Sequence, residues 1–580
     1  MKGKYTIEKH TQILISLMKE HGIKKVIASP GTTNITFLGS IQNDPYFEIY
    51  SSVDERSAAY MACGLARESG EPVALSCTGA TASRNYIPGL TEAYYSNLPV
   101  LAITSTQFVG RVGHLNPQVI DRSTPIKDTV RKSIMVEVSH TDEQEWSNVV
   151  KINDALLELK RHGGGPVHIN LETTYSRSFT VNQLPTVRCI KRLFYKDNLP
   201  NLTGRICVYL GYHIKWSDDL TKELDTFCEN YNAVVICEHI SNYRGKYGVD
   251  TALLHNQIDG DKSLLNFDIA IHIGNIVGFN GVVNTKEVWR VHPDGELRDT
   301  FKKLTHIFEM EEIAFFEKYN EYRSATETTV YESLKEVTKK IENNIPELPF
   351  SNPWIVQNTK DKLPDNSELH VGILNTLRSW DLFEVKKNVE IYSNTGGFGI
   401  DGLVSTLVGS SLYDRKKLYI GIVGDLAFFY DMNSIGNRHI GNNIRLMVVN
   451  NGRGTEFRNF NHPAERFGEK ADDFMAAAGH YGNKSKELLK HYSEDLGFKY
   501  LSAQNKKEYL EIVDEFLTFD SDKPILLEVF TDSKDESDAL NLMYHIDKTT
   551  KGVVKNTIKN TLKKVLGEET ASALKKIIKK

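Results

Sequence analysis

Short runs rich in β-branched residues alternate with helix-period patterns along most of the chain, and this alternation constrains the fold more than any other feature of the sequence. KKVIAS (24–29), FEIYSSV (47–53), PVALSC (72–77) and LPVLAIT (98–104) are each followed by a helical stretch, and GGGPVHINLETT (163–174) closes the series with a glycine stop and a buried strand. A strand that returns parallel to its predecessor needs a crossover, usually a helix, so the pattern predicts parallel sheets covered by helices. The same grammar recurs in RICVYLG, NAVVICE, FDIAIHIG and EVWRVHP, and again in ELHVGIL, KNVEIYSN, KKLYIGIVG, NIRLMVVN and PILLEVF. At 580 residues the chain has room for three such units of ~150–200 residues each. The expected fold class is therefore α/β, three doubly wound parallel-sheet domains, with boundaries at 1–185, 186–345 and 346–545. Pro185, the basic RCIKR and Pro200 mark the first junction. The charged helix running through 309–342 and the proline-punctuated NNIPELPFSNPW mark the second.

Residues 546–580 break the pattern. From Lys548 onward there are ten lysines and two glutamates, with Val554, Ile558, Leu562, Val565 and Leu566 at helical spacing. This basic amphipathic tail reads either as a solvated or subunit-packing helix or as a peripheral contact with the anionic inner face of the cytoplasmic membrane, where surface-polysaccharide intermediates are made. The rest of the composition is ordinary: 70 Lys+Arg against 75 Asp+Glu give a net charge of −5, which argues against a nucleic-acid platform. The six cysteines form no C-x-x-C pair, so neither a disulfide framework nor structural zinc is expected. The amino end lacks a signal-peptide core and no run of 18 apolar residues occurs, so a cytoplasmic location is expected.

Two places carry chemistry. KKLYIGIVG and NIRLMVVN each end in an oxygen-bearing side chain, Asp425 and Asn451. Ligands of open parallel sheets sit beyond the carboxyl ends of the strands, so both would face one crevice. A hard cation such as Mg2+ takes a carboxylate, an amide or backbone carbonyl and phosphate oxygens, which Asp425, Asn451 and the Arg453 carbonyl would supply. An ordinary pair of strand-turn corners is the alternative. In DERSAAYMACGLARESG, Asp54 reads as an N-cap and Glu55 as a first-turn acid at a strand-to-helix junction, which by itself is also what the helix dipole favours.

Together these stretches resemble the thiamine-diphosphate-dependent enzymes, and within them the menaquinone-pathway 2-succinyl-5-enolpyruvyl-6-hydroxy-3-cyclohexene-1-carboxylate synthases. The likeness rests on SPGTTN (29–34), DERSAAYMACGLA (54–66), TGATASRNYIPGLTEA (78–93), NPQVID (116–121), GPVHIN (165–170), GIDGLVSTLVG (399–409), IVGDLAFFYDMN (422–433) and VVNNGRG (448–454). The resemblance implies thiamine diphosphate and Mg2+ as cofactors. It makes Glu55 the catalytic acid at the aminopyrimidine ring and Ile400 the wedge under the bent cofactor. Gly79, Gly424, Asp425, Leu426, Ala427 and Asn451 become the cofactor-binding positions. It also implies a homodimer or homotetramer with sites between subunits. Where that synthase branch carries substrate arginines, this sequence has Thr33, Gln107 and Thr395, while Arg378 and Gln118 are kept; Arg453, Glu456, Arg458 and His114 are new polar neighbours. Losing bidentate carboxylate partners argues against the isochorismate reaction. The expectation is a carboligase that decarboxylates a 2-oxo acid, with Arg378 on its carboxylate, and passes the acyl unit to a carbonyl or enone acceptor. A simple decarboxylase releasing aldehyde is the alternative. The middle block has no G-x-G-x-x-G, so flavin is not expected.

Overall fold

The computed structural model describes residues 4–213, 216–278, 283–321, 327–479 and 485–547. The expected tail helix lies outside them. The chain divides into two compact units, Met1–Asp197 with Asp294–Glu309, and Asn198–Pro293 with Met310–Lys580.

The first unit is built on six parallel strands, β1 (Lys25–Ala28), β2 (Glu48–Ser51), β3 (Val73–Cys77), β4 (Val100–Thr106), β5 (Lys132–Val136) and β6 (Val167–Glu172), in the order β2-β1-β3-β4-β6-β5. Every residue of β3, β4 and β6 is buried, because helices cover both faces of a parallel sheet. One face packs Ile13, Leu14, Leu17, Phe37 and Ile152, and the other packs Ala58, Ala59, Ala62, Tyr86 and Leu90. The small residues are needed where the helix Glu55–Ser69 crosses the helix Ile87–Tyr95: a Cβ on Gly89 would stand 2.4 Å from that of Ala59. The segment RCIKR, read as a junction, runs into strand β7 (Lys191–Phe194).

The second unit carries β8 (Ile206–Leu210), β9 (Val234–Cys237), β10 (Gly248–Val249), β11 (Asn266–Ile273) and β12 (Asn284–Val291), all parallel in the order β10-β9-β8-β11-β12. Strand β13 (Leu304–Glu309), back in the first unit, pairs parallel with β7. The expected charged helix at 309–342 is two helices, Glu312–Asn320 and Thr329–Glu342. The last sheet holds β14 (Glu368–Val371), β15 (Glu390–Tyr392), β16 (Tyr419–Gly424), β17 (Ile444–Asn450), β18 (Lys499–Ala503) and β19 (Ile525–Phe530), ordered β15-β14-β16-β17-β19-β18. All three sheets are parallel α/β layers, as the alternation predicts. No helix among the described residues is long and apolar enough to cross a membrane.

One buried cluster has a measurable consequence. His239, Asp250 and Asp381 lie together in the second unit, with their ligand-type atoms within 4.8 Å of one another. Burial pushes both aspartates well above the usual carboxylate range, and the nearby Glu238 charge adds to this. A carboxyl whose pKa is raised by folding stabilises the native state below its unfolded value of ~3.9, and that contribution is lost as pH climbs through the raised value. Asp381→Asn is therefore expected to raise the melting temperature at pH 8 and leave it nearly unchanged at pH 4. The expected gain corresponds to about 1–3 kcal/mol for relieving an unsatisfied buried group. A melting curve at each pH checks this; equal shifts at both would remove Asp381 from the titrating cluster.

Candidate active site

Each unit presents a polar crevice at the carboxyl ends of its strands. In the first, β2 turns into the helix Glu55–Ser69, whose N-cap Asp54 accepts from the Arg56 and Ser57 amides and whose C-cap Gly70 takes φ 66°. Glu55 is thereby fixed in the first turn, half-buried. Its charge reaches Cys77, whose thiol burial pushes up to about 12, and the phenol of Tyr86, which burial raises well above its ordinary value. Thr33 is 4% exposed, and its Oγ1 lies 2.6 Å from Thr78 Oγ1 and donates to Ser105 O at 3.2 Å. Asn34 Nδ2 donates to Ser29 O, while its Oδ1 and Ser105 Oγ are buried with no partner.

Gly79 follows β3 at the centre of this crevice. A Cβ there would stand 3.1 Å from Ser105 O, 3.4 Å from Arg122 Nη1 and 3.5 Å from Gln118 O, so the glycine keeps open a narrow space between those groups. Gln118 has φ 63° and an exposed side chain. Gln107 lies one residue beyond β4 and accepts from Arg111 Nη1 at 2.7 Å, and His114 is exposed. The structure thus brings Thr33, Gly79 and the Gln118 backbone to one edge of the sheet.

In the second unit β16 and β17 are neighbours with Gly424 opposite Val449, so the residues that follow them share one edge. Asp425 opens the helix Asp425–Tyr430, is 1% exposed, and accepts the Gly452 amide through Oδ2 at 2.9 Å. Gly452 takes φ 78°, which lets the chain turn back so that its N–H also approaches Asn450 Oδ1. Asn450 in turn donates to Glu528 Oε1 at 2.7 Å; burial raises the pKa of Glu528, and the Asp425 charge adds to that. Asn451 Oδ1 is buried with no hydrogen-bond partner. An orphaned amide oxygen next to a buried carboxylate is the donor set a hard cation takes, so these residues fit Mg2+. The Arg453 carbonyl accepts the Thr455 amide at 2.9 Å and keeps a second lone pair. A Cβ on Gly424 would meet nothing within 4 Å, which leaves room for a diphosphate beside Asp425. Leu426 and Ala427 are half-buried on the following turn, with Ala427 packed against the core.

Three further residues are located less simply. Ile400 is half-buried in the loop between β15 and the helix Leu403–Ser411, and Thr395 is 3% exposed just after β15. Arg378, expected to hold a substrate carboxylate, makes a bidentate pair with Glu456, Nη1 to Oε2 at 2.7 Å and Nη2 to Oε1 at 2.8 Å. Its planar fork is therefore filled from within the chain. Arg453 and Arg458 both turn to Asp472. The residue the sequence reading passed over is Arg122, one position beyond the NPQVID motif. Its Nε and Nη1 are buried without partners beside Gly79. Its neighbour in sequence is an acid, Asp121, so nothing in the chain order marked this cation as unpaired.

The profile described as "Thiamine pyrophosphate enzyme, N-terminal TPP binding domain" matches residues 8–124. Similar proteins are the 2-succinyl-5-enolpyruvyl-6-hydroxy-3-cyclohexene-1-carboxylate synthase of Bacteroides fragilis, 31% identical over 572 residues, and that of Phocaeicola vulgatus, 30% identical over 579. The synthase of Bacteroides thetaiotaomicron is 29% identical over 564 residues, and all three alignments cover 93% of this chain and 99% of the relative.

Proposed function

Because the chain belongs to the thiamine-diphosphate-dependent enzymes, in the branch of the 2-succinyl-5-enolpyruvyl-6-hydroxy-3-cyclohexene-1-carboxylate synthases, we propose that it decarboxylates a small 2-oxo acid and joins the remaining acyl unit to a carbonyl or enone acceptor other than isochorismate. Asn451 Oδ1, orphaned and buried beside Asp425, is the observation that carries the cofactor assignment. Asp425, Asn451 and the Arg453 carbonyl would hold Mg2+, with the diphosphate over Gly424. Glu55 would hold the aminopyrimidine and exchange a proton at its ring nitrogen. Ile400 would support the bend between the two rings. Bound there, thiamine diphosphate supplies a nucleophilic carbon and an electron sink through which a 2-oxo acid loses CO2.

The reading of the substrate follows from the neutral positions. Thr33 spends its hydroxyl on Thr78 and the Ser105 carbonyl, Gln107 is engaged by Arg111, and Thr395 is buried, so none of the three offers a charge to a polycarboxylate. In the proposed reaction the donor C1 leaves as CO2, C2 bonds to the acceptor carbon, and a proton goes to the acceptor oxygen of a carbonyl or to the α-carbon of an enone. The two crevices belong to different units, and we propose that a homodimer or homotetramer completes each site across subunits.

A screen of small 2-oxo acids for CO2 release, run with thiamine diphosphate and Mg2+ and with aldehydes or enones present, tests this. Turnover of at least one 2-oxo acid and an acceptor-dependent adduct are expected, with isochorismate plus 2-oxoglutarate giving no adduct above background. Release of free aldehyde whatever the acceptor would replace the carboligase by a decarboxylase. Efficient synthesis of the menaquinone intermediate would overturn the substrate reading.

A further inference from the structure

In the first unit, a cavity of about 80 Å3 lies between the helix Ile87–Tyr95, the outer faces of β4 and β6, and the loop that carries Arg122. That is several times the ~10–15 Å3 a single water requires. Its walls include Tyr86, Thr104, Arg84, Arg122, Thr129 and His168. Arg122 is the anomaly among them. Burial lowers its pKa to about 10 and the neighbouring Arg84 pushes the same way, while two of its nitrogens, Nε and Nη1, have no hydrogen-bond partner. A guanidinium taken out of water without an anion or bonded carbonyls is costly, and a residue acting only as a strut would have those nitrogens tied to the surrounding loop.

Among the described residues lining the cavity, none pairs with the unpartnered guanidinium nitrogens. His168 is held neutral, its pKa driven by burial down to about 3, and both ring nitrogens are engaged, Nε2 with Thr104 Oγ1 at 2.7 Å and Nδ1 with Ser133 Oγ at 2.8 Å. The Asp121 carboxylate accepts the amide and hydroxyl of Ser123, and Arg84 donates to the Asp121 backbone oxygen. The guanidinium also touches the crevice itself, since its Nη1 would stand 3.4 Å from a Cβ on Gly79, level with the Gln118 carbonyl. Arg378, the other candidate cation, is already bidentate to Glu456.

We propose that Arg122 is a substrate-binding residue, and that this cavity receives the carboxylate of a small planar acid, with the guanidinium lying between the cavity and Gly79. The inference rests on the reading of the substrate as a 2-oxo acid and locates the group that would recognise it. Planar guanidinium and planar carboxylate match through two parallel hydrogen bonds, which a neutral Thr33 or Gln107 could not supply.

The test is calorimetric titration of oxalate into the protein loaded with thiamine diphosphate and Mg2+, with inorganic phosphate as a tetrahedral comparison. Oxalate is expected to bind the wild-type protein more tightly than phosphate does. Arg122→Gln is expected to weaken oxalate at least tenfold while changing thiamine diphosphate affinity less than twofold. Arg122→Lys, which keeps the charge and loses the fork, should fall between them, and it carries the test if the glutamine variant does not fold. Absence of oxalate binding, equal oxalate affinity in wild type and the variants, or preference for phosphate would each overturn the assignment. The two proposals fail separately. Arg122-dependent oxalate binding without turnover of any 2-oxo acid would refute the reaction and leave the subsite standing; turnover with a donor KM unmoved in Arg122→Lys would do the reverse.

Discussion

Asp425→Ala should abolish the rise in melting temperature that thiamine diphosphate and Mg2+ together give the wild-type protein. A ligand that binds only the native state stabilises it by about 2.7 kcal/mol at a hundred times its Kd, so the wild-type shift should be readily measured. Asp425 is buried at the end of β16 and already engages the Gly452 amide, so the alanine variant loses both the carboxylate and the partner of a backbone donor. Asp425→Asn separates the two effects, because an amide oxygen can still accept from Gly452. It is expected to melt near the wild-type temperature without cofactor and to gain little with it. A full Mg2+-dependent shift in either variant would move the diphosphate site away from the β16–β17 edge.

Glu55→Gln should give the opposite pattern, with normal cofactor binding and at least a hundredfold loss of rate. Positioned acid/base steps contribute roughly 10²- to 10⁴-fold, and the amide can hydrogen-bond but cannot exchange a proton at neutral pH. The helix should persist in the variant, since its N-cap is Asp54 and its packing comes from Ala58, Ala59 and Ala62. The loss of first-turn charge is worth only about 0.3–1 kcal/mol. Activity and the cofactor-induced melting shift, measured on one preparation, check this. Wild-type turnover would remove Glu55 from the chemistry.

What could be read without a structure follows from burial. β3, β4 and β17 are buried along their whole length, so each carries a mainly apolar run, and the polar residue beyond such a run stands out. Asp425 and Asn451 were legible for that reason, and the Asp54-Glu55 helix start from its capping and first-turn chemistry. The edge strands β5 and β18 were not read, because their half-exposed residues carry no such signal; β7 was hidden in a basic segment that looked like a junction.

The sequence by itself determined the layered α/β architecture, the family and the positions at the strand ends, because burial on both faces and turn chemistry are local constraints. Which charges are spent and which are free was decided only by tertiary structure. Arg378 meets Glu456 across 78 positions of sequence, and Arg122 is left without an acid because the loop lays it against Gly79 and a neutral His168. The strength of an ion pair depends on distance and on the water removed around it, and chain order specifies neither.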